Sequence, residues 1–475
     1  MSGAPRSGAP RSGASRGGGR RGGPRGRRLA VGAAPRRVAY EVVRAVSGRD
    51  AYANLVLPDR IRQAGLDARD AALATELTYG TLRAAGLLDA VIDVVSSRPV
   101  DQLDDDVRDA VRLGAYQLLR TRIAPHAAVS ATVGATHGVL SQGQAGFVNA
   151  LLRKIGYRTE EEWVGRVAPD ADTDPIGNLA MKHAHPRWIA AAFNDALGGD
   201  RDELAAALAA DDERPAGHLA ARPGRVTRDE LAAASGGTLG RYSPYAVHLD
   251  SGDPAEIAYV RSGSAAVQDE GSQLAALALI ETPIEGADSR WVDLCAGPGG
   301  KAGLLAAVAA GRGARLLACE PAPHRAALVA STLRGLPAQA VISDGRRAPL
   351  ADSSVDRVLV DAPCSGLGAL RRRPESRWRR QPSDIPALTM LQRELLTSAL
   401  RVVRAGGVVA YVTCSPHVAE TRAVVRAVVD ERMHELVDVR PVLGELPDLG
   451  EGPWVQLWPH RHGTDAMFIS LIRKR

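Results

Sequence analysis

Val355-Asp356-Arg357-Val358-Leu359-Val360-Asp361-Ala362-Pro363-Cys364-Ser365-Gly366 is an apolar run that ends in an acid, a proline and a thiol. Val355 and Val358 to Val360 predict a strand buried on both faces, so the polar residues that follow fall at an exposed strand end. The arrangement recurs in Gly407-Val408-Val409-Ala410-Tyr411-Val412-Thr413-Cys414-Ser415-Pro416. Each of these strands delivers one cysteine to its carboxyl end.

Working outward, the chain alternates. Trp291 to Ala296 predicts a strand, Lys301 to Ala310 a helix, Ala314 to Cys319 a strand, His324 to Arg334 a helix and Ala338 to Ile342 a strand. Beyond Asp361, Leu388, Leu391, Leu395, Ala399 and Val402 fall on one helical face ahead of the Cys414 strand. Strand and helix in alternation predict a parallel sheet with helices on both faces. Ligands of such sheets bind outside the carboxyl ends of the strands. Cys295 to Lys301, Glu320, Asp344, Asp361 to Cys364 and Thr413 to Ser415 therefore share one edge.

The glycine loop at that edge, Gly297-Pro298-Gly299-Gly300-Lys301-Ala302, fits G-x-G-x-x-A between a strand and a helix, with Glu320 about 20 residues on as a ribose-binding acid. A nicotinamide dinucleotide, and hence a dehydrogenase, is one reading. Three features count against it. Asp344 and Asp361 line the pocket with carboxylates, which suits a cation better than a pyrophosphate. Cysteines at strand ends have no part in hydride transfer, and Pro298 is unusual in a phosphate-cradling turn. S-adenosylmethionine fits all three, with a sulfonium cation, a ribose diol for Glu320 and an adenine amine for Asp344.

The 475 residues predict two to four domains, and the chain has ample core at 45% hydrophobic. No apolar run approaches the roughly 18 residues of a spanning helix, and the first residues lack the apolar core of a secretory signal. A cytoplasmic protein that does not engage a membrane is expected. Cys295, Cys319, Cys364 and Cys414 show no paired metal spacing and read as reduced thiols. The net charge of +6 is misleading, because residues 1–40 hold ten arginines and no acid, which leaves −4 for the remainder. Nucleic-acid binding by the folded part must then come from a local patch. Residues 1–34, nearly all Gly, Ser, Pro, Ala and Arg, predict a disordered tail.

Residues 35–160 are helical in pattern. Leu103, Val107, Ala110, Val111, Gly114 and Leu118 recur at helical spacing, with similar stripes in Val38 to Val46, Ala71 to Leu82 and Phe147 to Ile155. Ala39-Tyr40-Glu41-Val42-Val43, the stretch from Asp70 to Gly80, and Phe147-Val148-Asn149-Ala150-Leu151-Leu152-Arg153-Lys154 resemble the RNA-binding NusB fold. Residues 161–179, acidic and punctuated by Pro and Gly, read as a linker. Residues 180–285 predict a small α/β subdomain, with strands near His218 to Arg222 and Tyr259 to Val260. Val267-Gln268-Asp269-Glu270-Gly271-Ser272-Gln273 reads as a turn and N-cap before a buried helix. His183 and His185 alternate, but no further ligand sits at metal spacing, so no metal is expected.

Asp293-Leu294-Cys295-Ala296-Gly297-Pro298-Gly299-Gly300-Lys301, Asp361-Ala362-Pro363-Cys364-Ser365-Gly366 and Tyr411-Val412-Thr413-Cys414-Ser415-Pro416 resemble the signatures of the RNA 5-methylcytosine methyltransferases of the Nol1/Nop2/Sun family. With a NusB-like domain ahead of them, the resemblance narrows to the bacterial Sun-type branch. It implies an all-α N-terminal bundle, a small α/β domain and, over 286–475, a Rossmann-like methyltransferase domain that uses S-adenosyl-L-methionine. The implied substrate is a cytosine of 16S ribosomal RNA, free or partly assembled, and the chain is expected to be a monomer. Two departures are the glycine at Gly297 and Ala302, where the family usually has Ala and Thr.

The same resemblance assigns roles. Cys414 is the nucleophile that adds to C6 of cytosine, Cys364 acts in release, and Asp361 hydrogen-bonds the ring. Cys295, Ala296, Gly297, Pro298, Gly299, Gly300, Lys301, Glu320, Asp344 and Asp361 form the cofactor site. Lys301 also stands out by composition, being one of four lysines among 56 arginines. A compact charge is preferred there to a forked one, near the cofactor or the target base. Finally, Arg371, Arg372, Arg373, Arg377, Trp378, Arg379 and Arg380 follow the Cys364 loop and predict an RNA contact, with phosphate neutralisation and a stacking indole. Methylation of a transfer RNA or another RNA, or a non-catalytic RNA-binding or assembly role, are the competing functions.

Overall fold

Helix-forming stripes dominate the first part of the chain in the computed structural model, which describes residues 33–49, 51–444 and 446–475. The tail expected over 1–34 lies outside the described residues except for Ala33 and Ala34, which are already helical. The helices are α1 (Ala33–Arg49), α2 (Ala53–Ala64), α3 (Ala68–Val95), α4 (Asp105–Arg120), α5 (Pro125–Ala135) and α6 (Gln142–Ile155). Asp67 caps α3 by accepting from the Asp70 amide, and Ser141 and Gln144 form a reciprocal capping box on α6. Most of the predicted stripes meet in one core that includes Leu77, Leu88, Ile92, Val111, Leu152 and Ile155, while Val38, Val42, Val43 and Val46 pack with Leu57 and Leu82 in a second. Gly114 permits this packing, since a Cβ there would lie 2.4 Å from Leu152.

The expected linker over 161–179 is corrected. It is mostly helix, as α7 (Glu160–Val167) and α8 (Pro175–Lys182). Glu160, Glu161 and Glu162 are acids of a helical first turn, where the helix dipole favours them, and Thr159 caps them. Trp163 is buried and donates to the Ile155 carbonyl at 2.9 Å, so α7 belongs to the bundle.

After α9 (Arg187–Ala196) and α10 (Arg201–Asp212) comes a four-stranded antiparallel sheet with strand order β2-β3-β1-β4. Its strands are β1 (Gly217–Ala221), β2 (Thr238–Leu239), β3 (Ala246–Leu249) and β4 (Ala265–Val267), with α11 (Arg228–Ser235) between β1 and β2. Tyr259 and Val260 are not a strand; they lie in the short helix α12 (Ala258–Arg261). Asp269 caps α13 (Glu270–Glu281) as the turn chemistry predicts.

The third region holds β5 (Arg290–Asp293), α14 (Gly300–Gly311), β6 (Arg315–Cys319), α15 (Pro323–Thr332), β7 (Ala338–Val341), β8 (Val355–Asp361), α16 (Ser376–Arg379), α17 (Ile385–Val402) and β9 (Val403–Thr413). It closes with α18 (Arg422–Val428), β10 (His434–Val437), β11 (Val455–Gln456), α19 (Pro459–His462) and β12 (Phe468–Lys474). The sheet order is β10-β12-β9-β8-β5-β6-β7, with β11 also on β12. Strands β9, β8, β5, β6 and β7 are parallel, whereas β12 is antiparallel to β9, β10 and β11. The α/β reading holds, but the sheet is mixed, because the strands after Cys414 cover the β9 edge. Burial on both faces is literal in β9: Val408, Ala410 and Val412 join the core under α13 and α14, and Val409 and Tyr411 the core under α17. Asp356 and Arg357 are buried within β8 yet satisfied. Asp356 accepts from the Ser289 and Arg290 amides and from Arg404, while Arg357 grips Asp288 at 2.7 Å.

Candidate active site

Strand order reverses on either side of β5, and the loops leaving the strand ends there converge. Asp361 is in register with Val412, so the Pro363-Cys364 and Thr413-Cys414 turns leave adjacent strands side by side. The Cys364 and Cys414 sulfurs lie 3.4 Å apart. Both are half-buried, and all four cysteines are free. Lys301, in the first turn of α14, donates from Nζ to Asp361 Oδ2 at 2.9 Å. Its ammonium is held above its ordinary range by Asp361 against the opposing effect of burial.

The two thiols are not equivalent. The bond to the Cys364 thiol, followed by the field of Lys301, lowers the Cys414 pKa in spite of burial and Asp361. The same bond, with burial and the nearby Glu420 carboxylate, raises that of Cys364. Cys414 is therefore the sulfur disposed to be thiolate, and Cys364 the one that keeps its proton. Cys295 and Cys319 are both pushed up by burial, Cys319 to about 12, which makes them neutral thiols.

The glycine loop is a tight cradle. Asp293 accepts from the Cys295 amide through Oδ1, while its buried Oδ2 has no partner. Burial, reinforced by Asp361, raises Asp293 to about 7. A Cβ on Gly297 would sit 2.1 Å from Glu320 Oε2, and Gly299 has φ +117°, which disfavours any side chain. The departure at Gly297 thus makes room for Glu320 and for Arg325, which donates to the Gly297 carbonyl. Glu320 is buried at the end of β6 and accepts from the Ala322 amide. Asp344 follows β7 but is engaged by Arg346, which in turn reaches Glu394 at 3.0 Å. The Arg346 hydrogen bond holds the Asp344 carboxyl below its ordinary range. Cys295 to Lys301, Glu320, Asp344, Asp361, Cys364 and Cys414 thus all stand at the carboxyl edge, as the topology predicts.

The arginine run does not form the expected RNA surface. Arg371 and Arg372 both bind Asp269 and Asp465, which ties the small sheet to the α/β domain. Arg377 is fully buried and donates to the carbonyls of Ala184 and Asp211 and to Asp212. Trp378 donates to the Leu82 carbonyl and lies over Gly86, and Arg379 reaches the carbonyls of Val46 and Ala51. Arg380 returns to the Ser365 carbonyl, which leaves Arg373 as the exposed member. A dense run of one charge looks like a ligand surface, but its partners, Asp211, Asp212, Asp269 and Asp465, are remote in sequence.

Sequence reasoning also missed Glu420, buried behind both cysteines and bonded to Ser365, Ser415 and Gln392. The only signal was a serine after each cysteine. Among the described residues, no group of three or more His, Cys, Asp or Glu is placed to hold a metal, and no helix is long and apolar enough to cross a membrane.

The chain matches the family described as 16S rRNA methyltransferase RsmB/F over residues 282–473 and the NusB family over residues 33–156. It is 59% identical to Rv1407 of Mycobacterium tuberculosis, which carries a methyltransferase name, over 92% of this chain and 96% of that protein. It is 33% identical to the ribosomal RNA small subunit methyltransferase B of Pseudomonas putida, over 83% of this chain and 88% of that protein. The crystal structure of PH0851 superposes with TM-score 0.78 and 22% identity, covering 93% of this chain and 99% of that one, and shares the fold. The chain belongs to the RsmB/F family of S-adenosylmethionine-dependent 16S ribosomal RNA methyltransferases.

Proposed function

We propose that this enzyme methylates C5 of a cytosine in small-subunit ribosomal RNA through a covalent adduct between Cys414 and C6. The pairing of Cys364 with Cys414 at 3.4 Å, beside the Lys301–Asp361 ion pair, carries this reading. C5 of cytosine is a weak nucleophile, and two adjacent thiols of unequal pKa suit one that adds to the base and one that assists its release. Cys414 Sγ forms the bond to C6, which gives C5 enamine character, and Asp361 with Lys301 offsets charge developing on the ring. S-adenosylmethionine, when bound, supplies the methyl group. Glu320 would hold its ribose, Asp344 its adenine amine and the Cys295 to Gly300 backbone the rest. The fit rests on the cradle, where small residues and an unpartnered buried carboxylate oxygen of Asp293 leave room and acceptors for a polar cation. After transfer the C5 proton leaves to a base, the Cys414–C6 bond breaks, and Cys364 assists that release. Free thiols suit the cytoplasm, where such RNA is met.

The test is methyl transfer from labelled S-adenosylmethionine to small-subunit ribosomal RNA, with nucleoside analysis of the product. Labelled 5-methylcytidine is expected. Label in another nucleoside, or only in transfer RNA, would overturn the proposal.

A further inference from the structure

Behind the two thiols lies a buried carboxylate that the chemistry above does not use. Glu420, fully buried, accepts from the Ser365 amide at 2.8 Å and from Gln392 Nε2 at 3.1 Å through Oε1. Its Oε2 accepts from the Ser365 hydroxyl and, at 2.8 Å, from the Ser415 hydroxyl. The two hydroxyls themselves lie 3.1 Å apart. Gln392 also donates to the Pro363 carbonyl at 2.9 Å, and the Glu420 carbonyl accepts from Tyr411. Ser365 and Ser415 each follow a cysteine directly, and the paired register of β8 and β9 ends at Asp361 and Val412, short of both thiols. Beyond that point the turns are joined by few backbone bonds, notably Gly368 N to the Cys414 carbonyl at 2.9 Å.

We infer that Glu420 is a positioning residue that holds the Cys364 and Cys414 turns together and keeps their sulfurs in contact with unequal roles. A carboxylate is acceptor-only and can take several donors at once. An amide cannot: one of its two heads is a donor, and the serine hydroxyls facing it would have to reorient or lose a bond. Burying a carboxylate is costly unless it is fully bonded, so this one is a specific arrangement and not filler. Its negative charge lies on the Cys364 side and discourages a second thiolate there. Cys364 then remains the donor to Cys414. The charged and titratable groups facing the pair are Lys301, Asp361 and Asp465 toward Cys414, and Glu420 and Tyr411 toward Cys364, with His417 near Glu420.

The inference deepens the proposed cytosine chemistry and rests on it for its purpose, but its test needs neither RNA nor cofactor. In the full-length protein, alkylation of Cys364 and Cys414 by iodoacetamide is followed against pH by peptide mapping. The wild type is expected to alkylate first at Cys414, with Cys364 lagging to higher pH. In Glu420→Gln the preference for Cys414 should fall at least tenfold and its midpoint should move upward, while circular dichroism and melting stay close to wild type. If methyl transfer is active, kcat should fall more than tenfold with KM for RNA little changed. A folded Glu420→Gln protein with the wild-type alkylation profile overturns the inference. Should Glu420→Gln fail to fold, the Ser365→Ala/Ser415→Ala protein carries the test, with the same loss of preference expected and the same unchanged profile overturning it. A wild type that transfers no methyl group to cytosine would remove the functional reading and leave the alkylation result standing.

Discussion

The Cys364 and Cys414 sulfurs meet at 3.4 Å although 50 residues separate them in sequence. With one sulfur disposed to be thiolate and the other to stay protonated, the two substitutions should have different outcomes. Cys414→Ala should abolish methyl transfer to ribosomal RNA. Cys364→Ala should form the adduct and fail to resolve it, giving a slow protein–RNA band on a denaturing gel. Equal, band-free loss in both variants would end the division of roles.

Lys301 lowers the Cys414 pKa and pairs with Asp361 at 2.9 Å. Lys301→Met removes the cation from both. The thiolate fraction at neutral pH should drop, so the rising limb of the kcat profile moves to higher pH and the rate at pH 7 falls by about a hundredfold. An unshifted profile with reduced rate would instead point to a role confined to substrate binding.

A Cβ at Gly86 would approach the Trp378 ring at 2.3 Å. Gly86→Ala should therefore cost about 1–3 kcal/mol through overpacking, read as a lower denaturation midpoint. Trp378→Ala removes the obstacle, so the double variant should be less destabilised than the two singles combined. Strict additivity would show that the ring does not seat there in solution.

Asp211 is buried with neither carboxylate oxygen bonded, and burial raises it to about 7. The folded state thus holds this proton more tightly than the unfolded chain, where an aspartate titrates at about 3.9. Its contribution to stability is full below that value and is lost as pH rises through about 7. Asp211→Asn should gain on the wild type across this window by up to about 1.4 kcal/mol per pH unit. Urea midpoints at pH 5.5 and 8 measure it, and parallel behaviour of the two proteins would refute the shift.

The candidate site at the carboxyl edge was legible because strand burial and strand-end chemistry are local. Val358 to Val360 announce the strand, and Asp361 and Cys364 must then stand where it ends. The glycine loop and Lys301 follow from the same rule. What could not be read depends on partners far along the chain. Arg371 and Arg377 look like an RNA surface until Asp465 and Asp211 are folded against them. Glu420 is one acid among many until Ser365 and Ser415 converge on it. The strands after Cys414 were unread because an antiparallel edge carries no crossover helix to mark it, and Glu161 and Glu162 looked like part of a linker although they lie in the first turn of a helix.

Arg377 and Trp378 root the segment after the Cys364 turn in the helical bundle, and Arg380 returns from it to Ser365. The bundle and the thiols are therefore set at one fixed separation, like the two jaws of a caliper. Under the proposed function, an RNA element that rests on the bundle would find its reach to Cys414 set by this separation.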